Sequence, residues 1–220
     1  MTQQRNSDCW YVNSCKDDCD RCVVYVQMRY QFDNSGLPEA QQKPIVLSIF
    51  EDNKIDRPAF KQLANIRKGI VEFVDNHKNL YLCSRIPGNG KTSWAIKMLQ
   101  TYFHYTAVGN YENLKGMFVS TTDLLLKLKD FNNPLSKKYK DNLENVDLVI
   151  WDDIAVSGIS QYDYTQLYNI INKRILSQKS NIFTSNIVTA EELQKILGAR
   201  LASRIYNTSE IIELKGGDMR

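Results

Sequence analysis

No run of apolar residues in this chain approaches the roughly 20 needed to span a bilayer. The opening Met-Thr-Gln-Gln-Arg-Asn-Ser-Asp has no apolar core of the kind that marks a secretory leader, so a cytoplasmic protein is expected. Internal repeats and low-complexity tracts are missing too, which argues against a solenoid or a long disordered linker. There is little excess charge of either sign: 28 Lys and Arg against 25 Asp and Glu leave +3, too small to argue for a nucleic-acid partner. At 220 residues and 43% hydrophobic content, the chain suits one α/β domain with a small appendage and a core of its own.

The five cysteines are unevenly placed. Cys9, Cys15, Cys19 and Cys22 crowd into one window, and Cys83 stands apart. In a reducing compartment such a cluster points to metal before disulfides. The spacing C-x5-C-x3-C-x2-C offers four thiolates, a set that suits tetrahedral Zn²⁺; free buried thiols or a redox pair are the other readings. Behind the cluster, Val24, Val26, Met28, Tyr30 and Phe32 alternate, which predicts a half-buried strand over 23–32. A turn follows over 33–44, and 45–50 is expected to return as a second strand. Residues 1–57 thus read as a cysteine-anchored, zinc-binding β module, too small to fold without a staple.

From 58 the pattern becomes helical, with Leu63, Ile66, Ile70, Phe73 and Val74 three or four apart up to residue 76. The remainder alternates: strand 79–84, helix 91–106, strand 116–121, a helix from Thr121 or Thr122, a charged loop 132–144, strand 147–152, helix 161–177, strand 181–186, a helical stretch 189–206 and strand 210–214. That alternation predicts a parallel sheet with helices on both faces across 58–220.

The most informative stretch is Ser84-Arg-Ile-Pro-Gly-Asn-Gly-Lys-Thr92 between the first of these strands and its helix. Strand, glycine loop and helix opening on Lys-Thr form a P-loop layout, in which backbone N–H groups and a helix N-terminus hold phosphates. Pro87, Gly88, Asn89, Gly90, Lys91, Thr92 and Ser93 would hold ATP. Lys91 would neutralise the phosphates and the Thr92 hydroxyl would ligate Mg²⁺. The full pattern begins with glycine, and this chain has Arg85 there.

Four further groups follow. Asp152 and Asp153 end an apolar strand, where ligands of open α/β sheets bind. They read as a Mg²⁺ ligand and a general base, or as strand-end caps. Asn186 ends the next strand and would hold the attacking water, or simply make the turn. Arg200 and Arg204 lie four apart on one helix face, either solvated or aimed at a phosphate across a subunit boundary. Lys127, Lys129, Lys137, Lys138 and Lys140, with Phe131 and Tyr139 among them, would make a single-stranded DNA groove or a solvated surface.

Taken in order, Gly-Lys91-Thr92, Val-Ile-Trp-Asp152-Asp153, Phe-Thr-Ser-Asn186 and Leu-Gly-Ala-Arg200-Leu-Ala-Ser-Arg204 resemble the AAA+ ATPases of the DnaC/DnaI type, the loaders of replicative helicases. The resemblance covers roughly residues 58–220. It implies an AAA+ P-loop core without a separate lid domain and slow ATP hydrolysis, since Asp153 stands where most such proteins carry Glu. It assigns Asn186 as the sensor 1 residue, Arg204 as arginine finger and Arg200 as a second phosphate-sensing residue, acting in a homo-oligomer built through its ATP sites. It also implies an N-terminal zinc module docked on a hexameric helicase and single-stranded DNA as a further partner. Because phages carry versions of these loaders, a phage protein acting in the bacterial cytoplasm is expected. A transposase helper of the IstB type and a non-hydrolysing zinc adaptor are the alternatives; the cysteine module argues against the former and Arg85 favours the latter.

Overall fold

The computed structural model describes residues 9, 22–43, 54–107, 113–127 and 133–218. Five strands form one sheet: β1 (Asn79–Cys83), β2 (Gly116–Ser120), β3 (Leu148–Asp152), β4 (Ser180–Ser185) and β5 (Ser209–Glu213). All pairings are parallel, in the order β2-β3-β4-β1-β5. The order places β1 beside β4, so the loops leaving β1, β3 and β4 gather at one edge of the sheet.

The period-two geometry of the strands splits the core in two. Leu80 and Leu82 of β1 and Leu148 and Ile150 of β3 face one layer, with α3 (Arg57–Lys68), α4 (Ile70–Asp75) and α5 (Lys91–Thr106). Tyr81, Cys83, Val149, Trp151 and Phe183 face the other, with α6 (Thr121–Lys127), α7 (Pro134–Asn145), α8 (Gln161–Leu176) and α9 (Ala190–Tyr206). The helix expected over 58–76 breaks at Gly69 into α3 and α4.

The strand expected at 23–32 is a helix, α1 (Val23–Asn34), so the described part of the N-terminal segment is not a β module. The period of burial gives the reason: Met28, Gln31 and Phe32 are buried at helical spacing, while Val23, Val26 and Tyr30 face outward. Packing decides over β propensity here. Phe32 meets Phe103 edge to face at 5.5 Å, and the Gln31 amide bonds Asn113 O at 2.9 Å and the Lys115 N–H at 2.7 Å. After α1 comes a short turn of helix, α2 (Glu39–Gln42), whose Gln41 carbonyl accepts from Gln100 of α5 at 2.7 Å. Segment 22–43 therefore shares the core of the main sheet. The strand expected at 45–50 lies outside the described residues, as do Cys15 and Cys19. Cys9 is buried and Cys22 half-buried just ahead of α1.

A second correction concerns 132–144, expected as a loop. Residues 134–145 form α7, started by the Asn133 side chain, which accepts from the Leu135 N–H at 2.9 Å, with Pro134 at the first helical position.

Arg174, fully buried, fixes the edge of the sheet opposite these loops. Its guanidinium donates to Leu143 O, Val146 O, Ser180 O and Asn181 Oδ1 at 2.7–2.9 Å. Asn181 in turn donates to Asn79 Oδ1 at 2.9 Å and accepts from the Trp151 indole at 3.0 Å. Three strands and two helices are thus joined by one polar cluster. Burial pushes the guanidinium down to about 9, so it stays charged at neutral pH.

Candidate nucleotide site

Residues 84–90 connect the buried strand β1 to α5, and their turn is set from inside. The buried Ser84 hydroxyl accepts from the Ile86 N–H at 3.1 Å and from the Asn89 amide. Asn89 also reaches Leu214 O, tying the loop to the end of β5. Gly88 and Gly90 have φ of 76° and 93°, a region that side chains rarely enter, and these are the positions where the loop needs glycine. Arg85 does not take a left-handed conformation, so the missing first glycine is not required by this turn. Its side chain points away from the loop and pairs in bidentate fashion with Glu192, near the start of α9, with both N–O distances 3.0 Å.

The N-terminus of α5 is uncapped by any side chain and carries no acidic residue in its first turn, so its amides and partial positive charge face the loop. Lys91, nearly buried, turns back over the same space, its Nζ 3.3 Å from Ile86 O and 3.4 Å from Asn89 Oδ1. Amides, a helix N-terminus and an ammonium converge there. This is a cradle for an anion, and a polyphosphate fits it.

Across the cradle lies Asp152, at the end of β3. One of its carboxylate oxygens, Oδ1, accepts from the Thr92 hydroxyl at 2.8 Å and from the Thr184 hydroxyl at 2.8 Å. The Asp152 carbonyl accepts from Thr121 at the start of α6 at 3.0 Å. Thr92 and Asp152 thus present adjacent hard oxygens, a donor set that fits Mg²⁺.

Asp153 follows with φ 51°, a left-handed turn just past the end of β3. Asn186 approaches Asp153 Oδ1 to 3.5 Å. Burial, and then the neighbouring Asp152 carboxylate, push the Asp153 carboxyl above the usual carboxylate range, with Lys91 pulling the other way. A carboxylate raised in this way is a better proton acceptor than an ordinary one.

Two of the expected residues stand apart. Arg200 and Arg204 lie on α9 beyond a kink at Gly198 (φ 72°, ψ 155°). Thr208 bonds Arg204 O at 2.6 Å, and Asn79 at the start of β1 reaches Thr208 O at 3.4 Å. The Arg204 backbone therefore sits by the sheet edge opposite the P-loop, a strand length of roughly 15 Å from it. Among the described residues neither arginine has an ion-pair partner.

The lysines divide as well. Lys137 and Lys138 are exposed on α7, Lys140 bonds Gln166 at 3.2 Å, and Lys127 lies 4.7 Å above the Tyr139 ring. That contact and its partial burial occupy the Tyr139 face expected to stack on bases. Lys129 and Phe131 lie outside the described residues.

Thr184, Thr121 and Asp56 carry contacts of the site that the sequence pattern does not assign to them. The buried Asp56 carboxylate accepts the N–H groups of Lys215 and Gly216 at 2.7 and 2.8 Å. This latch brings the chain after β5 across the loop, and a Cβ on Gly88 would collide with the Asp218 carboxylate. A serine or threonine two residues before the strand-end asparagine was the available signal for Thr184. Asp56 gave none, because its partners are 159 and 160 residues away.

With this geometry in hand, comparison with known proteins is informative. The family described as IstB-like ATP binding protein matches residues 42–220. The replicative helicase loader DnaC of Buchnera aphidicola subsp. Baizongia pistaciae is 27% identical over 163 residues, 71% of this chain and 62% of that one. The chain therefore spans less than two thirds of the length of that relative. A crystal structure of the DnaC helicase loader aligns with a TM-score of 0.60 and 25% identity, covering 71% of this chain and 89% of that one. A crystal structure of DnaI shares the fold at a TM-score of 0.62 and 20% identity, covering 80% and 94%. The parallel sheet with flanking helices is that of an AAA+ P-loop core.

Proposed function

The chain belongs to the IstB-like ATP-binding family, as an AAA+ protein of the DnaC/DnaI type, and from that premise we propose that it loads a hexameric replicative helicase onto single-stranded DNA under the control of ATP. The observation that carries the reading is the Asp152 oxygen shared by Thr92 and Thr184, facing the Lys91 cradle across the mouth of the loop. An adaptor without nucleotide chemistry has no need of that constellation.

In this reading the amides of 88–93 and Lys91 bind the β- and γ-phosphates, and Pro87 limits the loop's freedom. Thr92 and Asp152 would hold Mg²⁺, which would spread the negative charge of the phosphate oxygens. Asp153 takes a proton from the attacking water, and Asn186 orients that water from the neighbouring strand. Arg204, with Arg200 beside it, stabilises the phosphate charge of an adjacent copy, so the complete site forms between subunits of a homo-oligomer. Asp153 is one methylene shorter than Glu, and slow turnover follows; ATP then acts as a switch.

Four thiolates from Cys9, Cys15, Cys19 and Cys22 would hold one Zn²⁺ in the helicase-docking segment, which metal analysis of the full chain against a four-serine variant tests. The exposed Lys137 and Lys138, with Lys127 and Lys140 nearby, would track a single strand; salt-dependent binding that weakens when 137, 138 and 140 become Ala tests that.

The deciding experiment measures ATP turnover with and without single-stranded DNA, for the wild type and Lys91→Ala, alongside co-purification with the hexameric helicase. Slow turnover lost in Lys91→Ala, with helicase capture dependent on ATP, is expected. Turnover with capture of a transposase instead would make it a helper of the IstB type. Helicase capture indifferent to nucleotide would make it an adaptor.

A further inference from the structure

The ladder between β3 and β4 ends early. Its last paired residues are Trp151 and Phe183, yet the two acids of the site come after Trp151. Beyond that point no β3–β4 strand pairing holds Asp152 and Asp153 against β4, and Asp153 moreover sits at φ 51°, where an L-residue is strained.

One side chain takes over from the ladder. The Thr184 hydroxyl donates to Asp152 Oδ1 at 2.8 Å and accepts the Asp153 N–H at 2.9 Å. The Thr184 carbonyl accepts the Ile154 N–H at 3.0 Å, closing the turn. A hydroxyl has one proton, and the Asp153 N–H already occupies one of its lone pairs. The hydroxyl proton is therefore free to go to Asp152. The group is 2% exposed, so water does not compete for these bonds. On its other side Thr184 pairs in register with Leu82 of β1, which leads into the P-loop. The same residue thus references the Asp152 carboxylate and the Asp153 backbone to the strand that carries the phosphate cradle.

We propose that Thr184 is the positioning residue of the site, setting the direction of Asp152 and the left-handed turn at Asp153. The claim about catalysis rests on the ATPase reading above; the claim about geometry does not. Asn186, two residues on, stands on the same strand end, so Thr184 also fixes the separation between the Asp153 carboxylate and the Asn186 amide.

The test uses the full chain with Thr184→Val, which keeps the shape and removes both bonds, and Thr184→Ser, which keeps the hydroxyl. The first measurement is amide hydrogen exchange and needs no nucleotide. Exchange at Asp153 is expected to quicken about tenfold or more in Thr184→Val, with Ile182 and Phe183 unchanged and Thr184→Ser close to wild type. Unchanged exchange at Asp153, or equal loosening of the whole strand, would overturn the proposal. The second measurement is turnover and nucleotide affinity. Thr184→Val is expected to lose about 10- to 100-fold in kcat with nucleotide Kd within about threefold, and Thr184→Ser to recover most of that loss. A serine variant as impaired as valine, or a loss shared equally by kcat and affinity, would count against positioning. A wild type that binds nucleotide without turnover would count against the ATPase reading alone, and the exchange data then decide whether Thr184 sets the turn.

Discussion

Arg85 leaves the P-loop toward the start of α9 and meets Glu192 there, joined by two N–O contacts of 3.0 Å. The pair explains how an arginine can stand where the P-loop pattern has glycine. The turn does not need the left-handed conformation at 85, and the long side chain leaves toward α9 instead of entering the cradle.

From this it follows that Arg85→Ala and Arg85→Gly should both bind nucleotide within about twofold of wild type. The ion pair is solvent-exposed and adds little to folding, so Tm should hold to within about 2 °C. Equilibrium titration with a fluorescent ATP analogue and a thermal melt check this. A large gain in affinity for Arg85→Gly would mean that arginine detunes the loop after all.

Asp153 should leave a signature in the dependence of stability on pH. Its carboxyl is raised in the folded protein, by burial and then by Asp152, so the native state holds that proton more tightly than the unfolded chain does. The stabilising contribution is full below the unfolded value and is lost as pH rises through the folded one. Asp153→Asn, which tolerates the same φ, should therefore melt higher than wild type near pH 7.5, with the gain vanishing toward pH 4. Turnover in the same variant should fall at least about 100-fold. Equal melting at both pH values would place the carboxyl in ordinary solvent.

How much of this was legible in the chain depends on which interactions are local. The parallel core is legible because Leu-Val-Ile-Trp and its counterparts are apolar on both faces, and Gly-Lys-Thr marks the loop between a strand and a helix. Residues 23–32 mislead because apolar residues at alternate positions resemble a strand, whereas Phe32 and Gln31 bind Phe103, Asn113 and Lys115 far along the chain. At 132–144 the run of charges suggests a loop, whereas the charges ride on a helix that the Asn133 side chain and Pro134 start. Asp56, Thr184 and Arg174 act on partners in other elements, which spacing does not reveal.

Arg174 offers the largest expected effect on folding. Its four carbonyl acceptors come from Leu143, Val146, Ser180 and Asn181, and among the described residues no carboxylate pairs with it directly. Arg174→Met removes the cation together with its desolvation but strands those buried oxygens, and a loss of about 3–5 kcal/mol is expected. Arg174→Lys, with one ammonium in place of a planar fork, should rescue only part. Denaturant unfolding gives both numbers.

Asp56 links the start of α3 to the segment after β5 through two hydrogen bonds, the one to Gly216 buried. Asp56→Ala leaves the Lys215 and Gly216 amides without their acceptor, at a cost of about 1–3 kcal/mol. Because the Asp218 carboxylate lies against Gly88, release of this segment should also change nucleotide affinity, and limited proteolysis near 215–218 should accelerate. A variant that melts like wild type and resists the protease equally would show that the latch contributes nothing.

Arg204 supplies the sharpest test of a site shared between copies. Its backbone lies by the sheet edge away from its own P-loop, about a strand length of 15 Å from the cradle, so within one chain it is poorly placed to meet a phosphate. Arg204→Ala should therefore bind nucleotide within about threefold of wild type yet lose about 1,000-fold in turnover, since the charge it meets grows in the transition state. Lys91→Ala should lose binding. Mixing the two inactive variants then places an intact Lys91 cradle beside an intact Arg204 in a fraction of the interfaces, and turnover should reappear in proportion to that fraction. If the arginine instead worked within its own chain, no mixture of the two could restore activity at any ratio.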